Sequence, residues 1–363
     1  MIKKVKSGLT VVAMGFTIVT VLLMWASAYS SHVAPRPVGW YDVLGLAFPV
    51  FVVANAVAMV VWILLKPRLV IVPILGYLFC ISDLRAYCPV NFPSKAPRGC
   101  LKLMSYNVAN FDGTEGDSPE RRMIVSNIRR SGADIVCMQE ATYQPGTDSL
   151  MRQLSDIYKY SAVVGEDSNI TTMRCVSKYP IVKVEQLAFP ASCNSSAAFF
   201  IQYAKGDTMV VVSNHLESDN LSASELNNYS ALVAGREREA GKAKVEFLSM
   251  LRKVASAAAR RCAQVDTVSK FVRAHSDKPL IVCGDFNDTP ISYARREISK
   301  NLTDAYAATG LGPGFSFNSH GMHVRIDHIM CSRHWEPYGA KVLSDYKGSD
   351  HYPITAMFKL KAK

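Results

Sequence analysis

Acidic residues are scarce where the chain begins: residues 1 to 100 hold two Asp/Glu against nine Lys/Arg, whereas the remaining 263 hold 28 against 32. Much of the net charge of +11 therefore flanks apolar runs instead of forming a basic track, and the basic balance is weak support for nucleic-acid binding. The nine cysteines include no Cys-x-x-Cys pair and no Cys/His zinc spacing, which removes a zinc ribbon or dithiol motif from consideration. Their odd number leaves at least one unpaired within a monomer. Cys137, Cys283 and Cys331 fall inside apolar strand-like runs and read as small core residues. Cys175 and Cys193 flank a strand and loop, where a bridge in an oxidising compartment stays open. There is no internal repeat and no low-complexity tract.

Charge is also missing from Leu9 to Tyr29, 21 residues that suffice for a helix crossing a bilayer core of about 30 Å. Val43 to Leu65 gives 23 more, and Leu69 to Ser82 a shorter run of 14 that spans only if it extends to about Tyr87, with Asp83 and Arg85 at the interface. Three spans (about 9–29, 43–65 and 69–87) are expected. A cleaved signal peptide is the weaker reading, because the first run is long for one and a second follows closely. Lys3, Lys4, Lys6, Lys66 and Arg68 belong on the cytoplasmic side and the Arg36 loop outside. An odd number of spans then places the rest of the chain outside. The expected organisation is a membrane region over residues 1–86, a proline-containing linker over 87–100 and one domain over 101–363.

From Leu101 short apolar runs alternate with amphipathic segments. Strands are expected at Leu101–Val108, Ile135–Met138, within Cys175–Val184, and at Met209–Ser213, Leu280–Cys283, Arg325–Cys331 and Ile354–Leu360. Ser118 as N-cap, Pro119 at the first position and Glu120 in the first turn mark a helix over Ser118–Ser131. Ser222 to His275 reads as one or two helices packed on a sheet through Val245, Leu248, Leu251 and Val254.

The stretch Leu280 to Pro290 organises the rest: a doubly buried strand stops at Gly284 and gives way to Asp-Phe-Asn-Asp. In extended backbone Asp285 and Asn287 leave the same face. A carboxylate that activates water beside an amide that donates to a charged oxygen suits hydrolysis assisted by a metal. Other strand ends carry polar residues that architecture does not require, namely Asn107, Glu140, His215 and Asp350 with His351. Each alone reads as a cap or an exposed turn. Together they suggest one cleft along a sheet edge. His320 and His323 form an HxxH in a Gly/Ser/Asn loop with no acidic partner, and they stay outside the site.

These segments resemble the endonuclease/exonuclease/phosphatase superfamily of DNase I-like phosphoesterases. The resemblance runs through Met-Ser-Tyr-Asn-Val at 104–108, Met-Gln-Glu at 138–140, Ser-Lys-Tyr-Pro-Ile at 177–181 and Ser-Asn-His-Leu at 213–216. It continues with Gly-Asp-Phe-Asn-Asp at 284–288, Arg-Ile-Asp-His-Ile at 325–329 and Ser-Asp-His-Tyr-Pro at 349–353. With the preceding spans, the chain looks like a bacterial member held in the cytoplasmic membrane, its domain on the outer, periplasmic side. The resemblance implies an α/β fold, a four-layer sandwich of two mixed sheets between helices, and a Mg²⁺ or Mn²⁺ site held by Glu140, Asn107 and Asp350. By the same token Asp285 deprotonates the water, Asn287 and His215 contact phosphate oxygens, and His351 contacts the scissile phosphate under orientation by Asp327. Ala109 stands where some nucleases carry a further acid, which puts two-metal chemistry in doubt. The implied partners are the bilayer and a phosphoester, whether lipid head group, nucleic acid or nucleotide conjugate, with no obligate protein partner.

Overall fold

The computed structural model describes residues 2–36, 41–113, 118–142, 152–165, 170–190, 192–233 and 240–362. Its first part is helical: α1 (Ile2–Ser30), α2 (Tyr41–Leu46), α3 (Phe48–Leu65), α4 (Ile71–Phe79) and α5 (Ile81–Tyr87). Gly8–Ser30 and Phe48–Leu65 are long and apolar enough to cross a membrane. The third stretch is not one straight helix, because it bends by 68° between Pro67–Phe79 and Ile81–Tyr87. Cys80 supplies the break by leaving the helical region (φ −121°, ψ 30°), which turns the polar Ser82-Asp83-Leu84-Arg85 segment away from the apolar one. The helices pack closely. A Cβ on Gly76 would come within 2.9 Å of Val21, Trp62 donates to Thr17 Oγ1 (2.8 Å) and Trp25 to the Gly76 carbonyl (2.8 Å).

The remaining chain builds two six-stranded sheets. The first uses β1 (Leu101–Asn107), β2 (Ile135–Gln139), β3 (Tyr160–Val164) and β4 (Met173–Ser177) with two late strands. The second uses β5 (Ile181–Ala188), β6 (Ser195–Ala204), β7 (Asp207–His215), β8 (Leu280–Asp285) and β9 (Thr303–Asp304). β10 (Phe317–Ser319) and β11 (Met322–Val324) form a hairpin, β12 (Asp327–Cys331) joins the second sheet, and β13 (Trp335–Val342) and β14 (Ile354–Leu360) complete the first. The orders are β13-β14-β1-β2-β4-β3 and β5-β6-β7-β8-β12-β9. Each sheet is mixed, with one parallel pair, β1 with β2 and β7 with β8.

Alternation along the strands makes the layers. Leu101, Leu103, Cys137, Val211, Ile281 and Cys283 point between the sheets and form one core. Met104, Tyr106, Val136 and Met138 face the other way, under Ile124, Val125 and Ile128 of α6 (Pro119–Ser131). Val210, Val212, Leu280 and Val282 of the second sheet likewise lie under a long helix at Val265, Val268 and Val272. The four-layer sandwich is thus present, and the strand Leu280–Cys283 is buried on both faces. Ser118 caps α6 by accepting the Arg121 N–H, and Gly132 ends it in left-handed geometry (φ 62°).

The charged region between the sheets' halves is two helices, α7 (Ala223–Val233) and α8 (Ala240–Ala274). The expected stripe meets the sheet only in part: Val245 is 68% exposed, Leu248 and Leu251 are half-buried, and only Val254 is buried. At about 1.5 Å per residue a 35-residue helix is longer than the sheet it covers, so its first half overhangs. It rests against α2 instead. Among the elements that escaped the sequence reading are the strands β3, β6 and β13, whose residues do not alternate cleanly. No disulfide links the described cysteines; Cys137, Cys175, Cys283 and Cys331 are buried and Cys193 is exposed, so Cys175 and Cys193 do not pair.

The linker segment lies along the sandwich. The Pro89 carbonyl accepts from Gly312 N (2.8 Å) and Asn91 donates to the carbonyls of Ala307 (3.1 Å) and Gly310 (2.9 Å). Buried Arg325 donates to the carbonyls of Ala86 and Tyr87, which fastens the end of α5 to the α/β part.

Candidate active site

Strand register assembles the site. Asn107 ends β1 opposite Gln139, His215 ends β7 opposite Asp285, and Asp327 begins β12 opposite Asp285 from the other side. Each lies on an inward row of its strand, Asn107 after Leu103, His215 after Val211, Asp285 after Cys283 and Asp327 before Ile329. Inward parity at one end of both sheets therefore sends four polar side chains into the mouth of the sandwich. Beneath them Gln139 donates to Ser213 Oγ (2.8 Å) and Ser105 Oγ (3.2 Å), a satisfied polar belt between mouth and core. Gly284 makes the β7–β8 approach possible, since a Cβ there would lie 2.1 Å from the Asn214 carbonyl oxygen and φ is +128°.

Asn107 is the hinge of the cluster: its Nδ2 donates to Glu140 Oε1 (2.9 Å) and to Asp285 Oδ2 (3.0 Å). His215 Nε2 stands 3.3 Å from Glu140 Oε1 and 3.8 Å from Asp285 Oδ2. His351 Nε2 is 3.6 Å from that same Asp285 oxygen, and its Nδ1 is 2.9 Å from Asp327 Oδ2. Phe317 sets its ring edge-on to His351 at 5.1 Å. Glu140 reaches the cluster only because its backbone turns to φ +50°, a conformation that a non-glycine residue holds at some strain.

Two expected members sit differently. Asn287 does not share a face with Asp285, because the strand ends at Asp285 and Asn287 adopts φ +50°. Its N–H donates to Asp285 Oδ1 (2.8 Å) and its Nδ2 to the Leu216 carbonyl (2.9 Å), so it borders the carboxylate without converging on it. Asp350 is exposed on the turn before His351, with its Oδ1 3.4 Å from Ser349 Oγ. His320 and His323 remain on the hairpin, outside the cluster.

Burial and charge set the proton affinities. Burial pushes the Asp285 carboxyl up to about 6, with His351 opposing and Asp327 adding to the rise. Burial works against charge on His351, but Asp327 and Asp285 outweigh it and raise its pKa to about 10. Glu140 is held at about 2: desolvation opposes ionisation, and hydrogen bonds from His215 and Asn107 prevail. His215 is raised above its ordinary value by Glu140 and Asp285 against the effect of burial.

Asp285, Asp327 and His351 offer ligand atoms within 4.8 Å of one another, a group that could hold a metal ion. A second, more open edge lies at Glu140, whose side chain is 28% exposed against 1% for Asp285. Its carboxylate is an oxygen ligand of the kind that hard divalent cations take, and Asn107 and Asn110 turn their Nδ2 groups toward it. Three contributors were not among the expected site residues. Asn110 donates to Glu140 Oε2 (3.3 Å), Asn194 lies 3.2 Å from His215 Nδ1, and Ser349 Oγ donates to the Asn107 carbonyl (2.8 Å) while accepting His351 N–H (3.1 Å). The pairing of Ser195 with His215 is what brings Asn194 alongside, and no local motif reports such a pairing.

A family model described as the endonuclease/exonuclease/phosphatase family matches residues 104–351, and a second, described as a domain of unknown function, matches residues 10–87. No curated protein matches the sequence. Among solved structures, the catalytic domain of human Nocturnin with bound sulfate is similar at 19% identity and TM-score 0.50, over 74% of this chain and 97% of that one. An endonuclease/exonuclease/phosphatase family protein of Bacteroides thetaiotaomicron is similar at 14% identity and TM-score 0.50, over 74% of this chain and 100% of that one. At such identities the likeness is one of fold.

Proposed function

Because the chain belongs to the endonuclease/exonuclease/phosphatase family, we propose that it is a membrane-anchored phosphodiester hydrolase dependent on a divalent metal, with residues 101–363 as the catalytic domain. The observation that carries this reading is the convergence of Asn107, Glu140, His215, Asp285, Asp327 and His351 within hydrogen-bond and ion-pair reach at one mouth of the sandwich.

Asp285 takes the proton from the attacking water. A carboxyl raised to about 6 is ionised near neutral pH yet basic enough for proton transfer. Asn107 keeps Asp285 and Glu140 at a fixed separation by donating to both. His351 carries a positive charge that Asp327 sustains, and with His215 it faces the place where negative charge grows on the phosphoryl oxygens. Asn287 adds its amide at the rim. Glu140, Asn107 and Asp350 would hold Mg²⁺ or Mn²⁺, and the buried trio is assigned to proton handling, because its imidazole already bears a proton between two carboxylates. Such a cation, when bound, offsets the phosphate charge and polarises the P–O bond.

Residues 1–86 are read as the anchor and 87–100 as the connector. With the bent α4–α5 pair counted as a third span, the domain lies on the outer side of the membrane. The test is a panel of phosphodiesters and phosphomonoesters given to the purified full-length protein with Mg²⁺, with Mn²⁺ and with EDTA. Metal-dependent hydrolysis of a diester is expected, and inactivity across the whole panel in both metals would refute the proposal.

A further inference from the structure

A cavity of about 320 Å³ lies between the N-terminal helices and the α/β domain. Leu46 and Val50 form one wall, Phe247, Leu251 and Val254 of α8 another, and Met322, Val324 and Ile326 a third. Its lining also takes in Asn287 and Asp288, in the loop after β8. Asn287 is two residues from Asp285 and donates its N–H to that carboxylate, on the rim of the catalytic cluster.

From this placement we infer that the cavity takes the hydrocarbon tail of a membrane lipid whose phosphoester lies at Asp285 and Asn287. The inference rests on the phosphodiesterase reading and names its substrate class.

Five observations favour a tail over any other occupant. The walls are mostly aliphatic and aromatic, which a nucleotide strand does not require. The cationic side chain of the lining, Arg261, is already committed to Asp219 (2.9 Å) and Asp288 (3.2 Å), so it offers no phosphate track. One wall includes Val50, near the start of α3, a helix long and apolar enough to cross a membrane, which sets the cavity beside a surface that lipid would occupy. The rim is apolar too: Val50 is 63% exposed and Phe247 37%, an arrangement that water disfavours and acyl chains accept. The volume is at the small end of ligand sites, the size of one chain segment.

The occupant can be tested with p-nitrophenyl alkyl phosphodiesters, in which the reacting bond is constant and the alkyl group runs from methyl to hexadecyl. The full-length protein is assayed in nanodiscs with Mg²⁺. The expected result is a kcat/KM that rises along the series, by up to about fourfold per methylene over the first carbons that enter the cavity. Leu251→Trp, which fills the cavity, should collapse the hexadecyl-to-methyl ratio. Val50→Trp, at an exposed site that tolerates bulk, should do the same from the opposite wall. Hydrolysis of the methyl ester with a flat chain-length series would overturn the tail site and leave the phosphodiesterase intact. A rising series that neither variant flattens would place the tail elsewhere and also overturn it. Failure on every ester, methyl included, removes the phosphodiesterase reading and this inference with it.

Discussion

His351 Nδ1 lies 2.9 Å from Asp327 Oδ2, with both side chains almost fully buried. The pair joins the turn before β14 to the first residue of β12, and it fixes which imidazole nitrogen faces the cleft, since Nδ1–H donates to the carboxylate and leaves Nε2 toward Asp285. Asp327 is also the leading influence that raises the His351 pKa against burial. Asp327→Asn keeps the shape and removes the charge. We expect kcat to fall by about 10² or more, with KM changing little. The alkaline limb of the pH profile should move to lower pH, because the imidazolium then loses its proton sooner. An unmoved limb would mean that His351 does not act as a cation.

Asp285 should show function and stability in opposition. Its folded pKa is above the unfolded value, so the folded state binds more protons between about 4 and 6, and ionisation at neutral pH costs stability. Asp285→Asn removes that burden and keeps an acceptor for Asn107. Turnover should fall by at least about 10² while the melting temperature at pH 7.5 stays level or rises. Retained turnover would take the general base away from Asp285.

A buried imidazole outside the catalytic cluster predicts acid sensitivity. His328 Nε2 is 3.0 Å from the Asp288 carbonyl oxygen, its ring is 5.0 Å from Phe286, and burial lowers its pKa to about 4 despite Asp304. The unfolded chain then holds more protons on this group between about 6.5 and 4. Its contribution is complete above that window and declines as pH falls through it, by up to about 3 kcal/mol. His328→Gln retains a donor for Asp288 without titrating. Denaturant midpoints at pH 7.5 and 5 should differ less in the variant than in the wild type. The comparison isolates His328, because Asp285 changes in the opposite sense and is common to both proteins.

How much of this was legible beforehand depended on where the information sits. The apolar run ending abruptly at Gly284-Asp285 reports a buried strand and its polar end, because alternation and termination are local. The seven ordered motifs implied the sandwich and collected the strand-end residues. The inferred common face of Asp285 and Asn287 failed because it assumed extended backbone, and Asn287 turns to φ +50°. Glu140 turns in the same way, which parity cannot foresee. Asn194 beside His215 and the overhang of α8 onto α2 depend on pairings between distant segments, and the composition of those segments does not encode them.

Topology follows from the same N-terminal helices. If the bent pair at Cys80 completes a third crossing, residues after Arg98 lie outside the cytoplasm. A reporter active only outside the cytoplasm, fused after Arg98, should then be active. Robust expression of an inactive fusion would show that the 68° bend turns the chain back without crossing.

The last prediction concerns the cation and is read without turnover. Glu140 is held ionised at about 2, is steered by Asn107, Asn110 and His215, and is the carboxylate of the cluster most open to solvent. Those properties suit a ligand for a hard ion, whereas Asp285 is nearly sealed and is occupied by Asn107. Glu140→Gln preserves the volume and halves the oxygen donors. Mn²⁺ titration followed by electron paramagnetic resonance should therefore show affinity falling by roughly 10- to 100-fold. Asp327→Asn, in the buried trio, should leave Mn²⁺ affinity within about threefold of wild type if that trio handles protons. The reverse order, with Asp327→Asn abolishing binding and Glu140→Gln sparing it, would move the metal into the Asp285–Asp327–His351 group and leave Glu140 as a partner of His215.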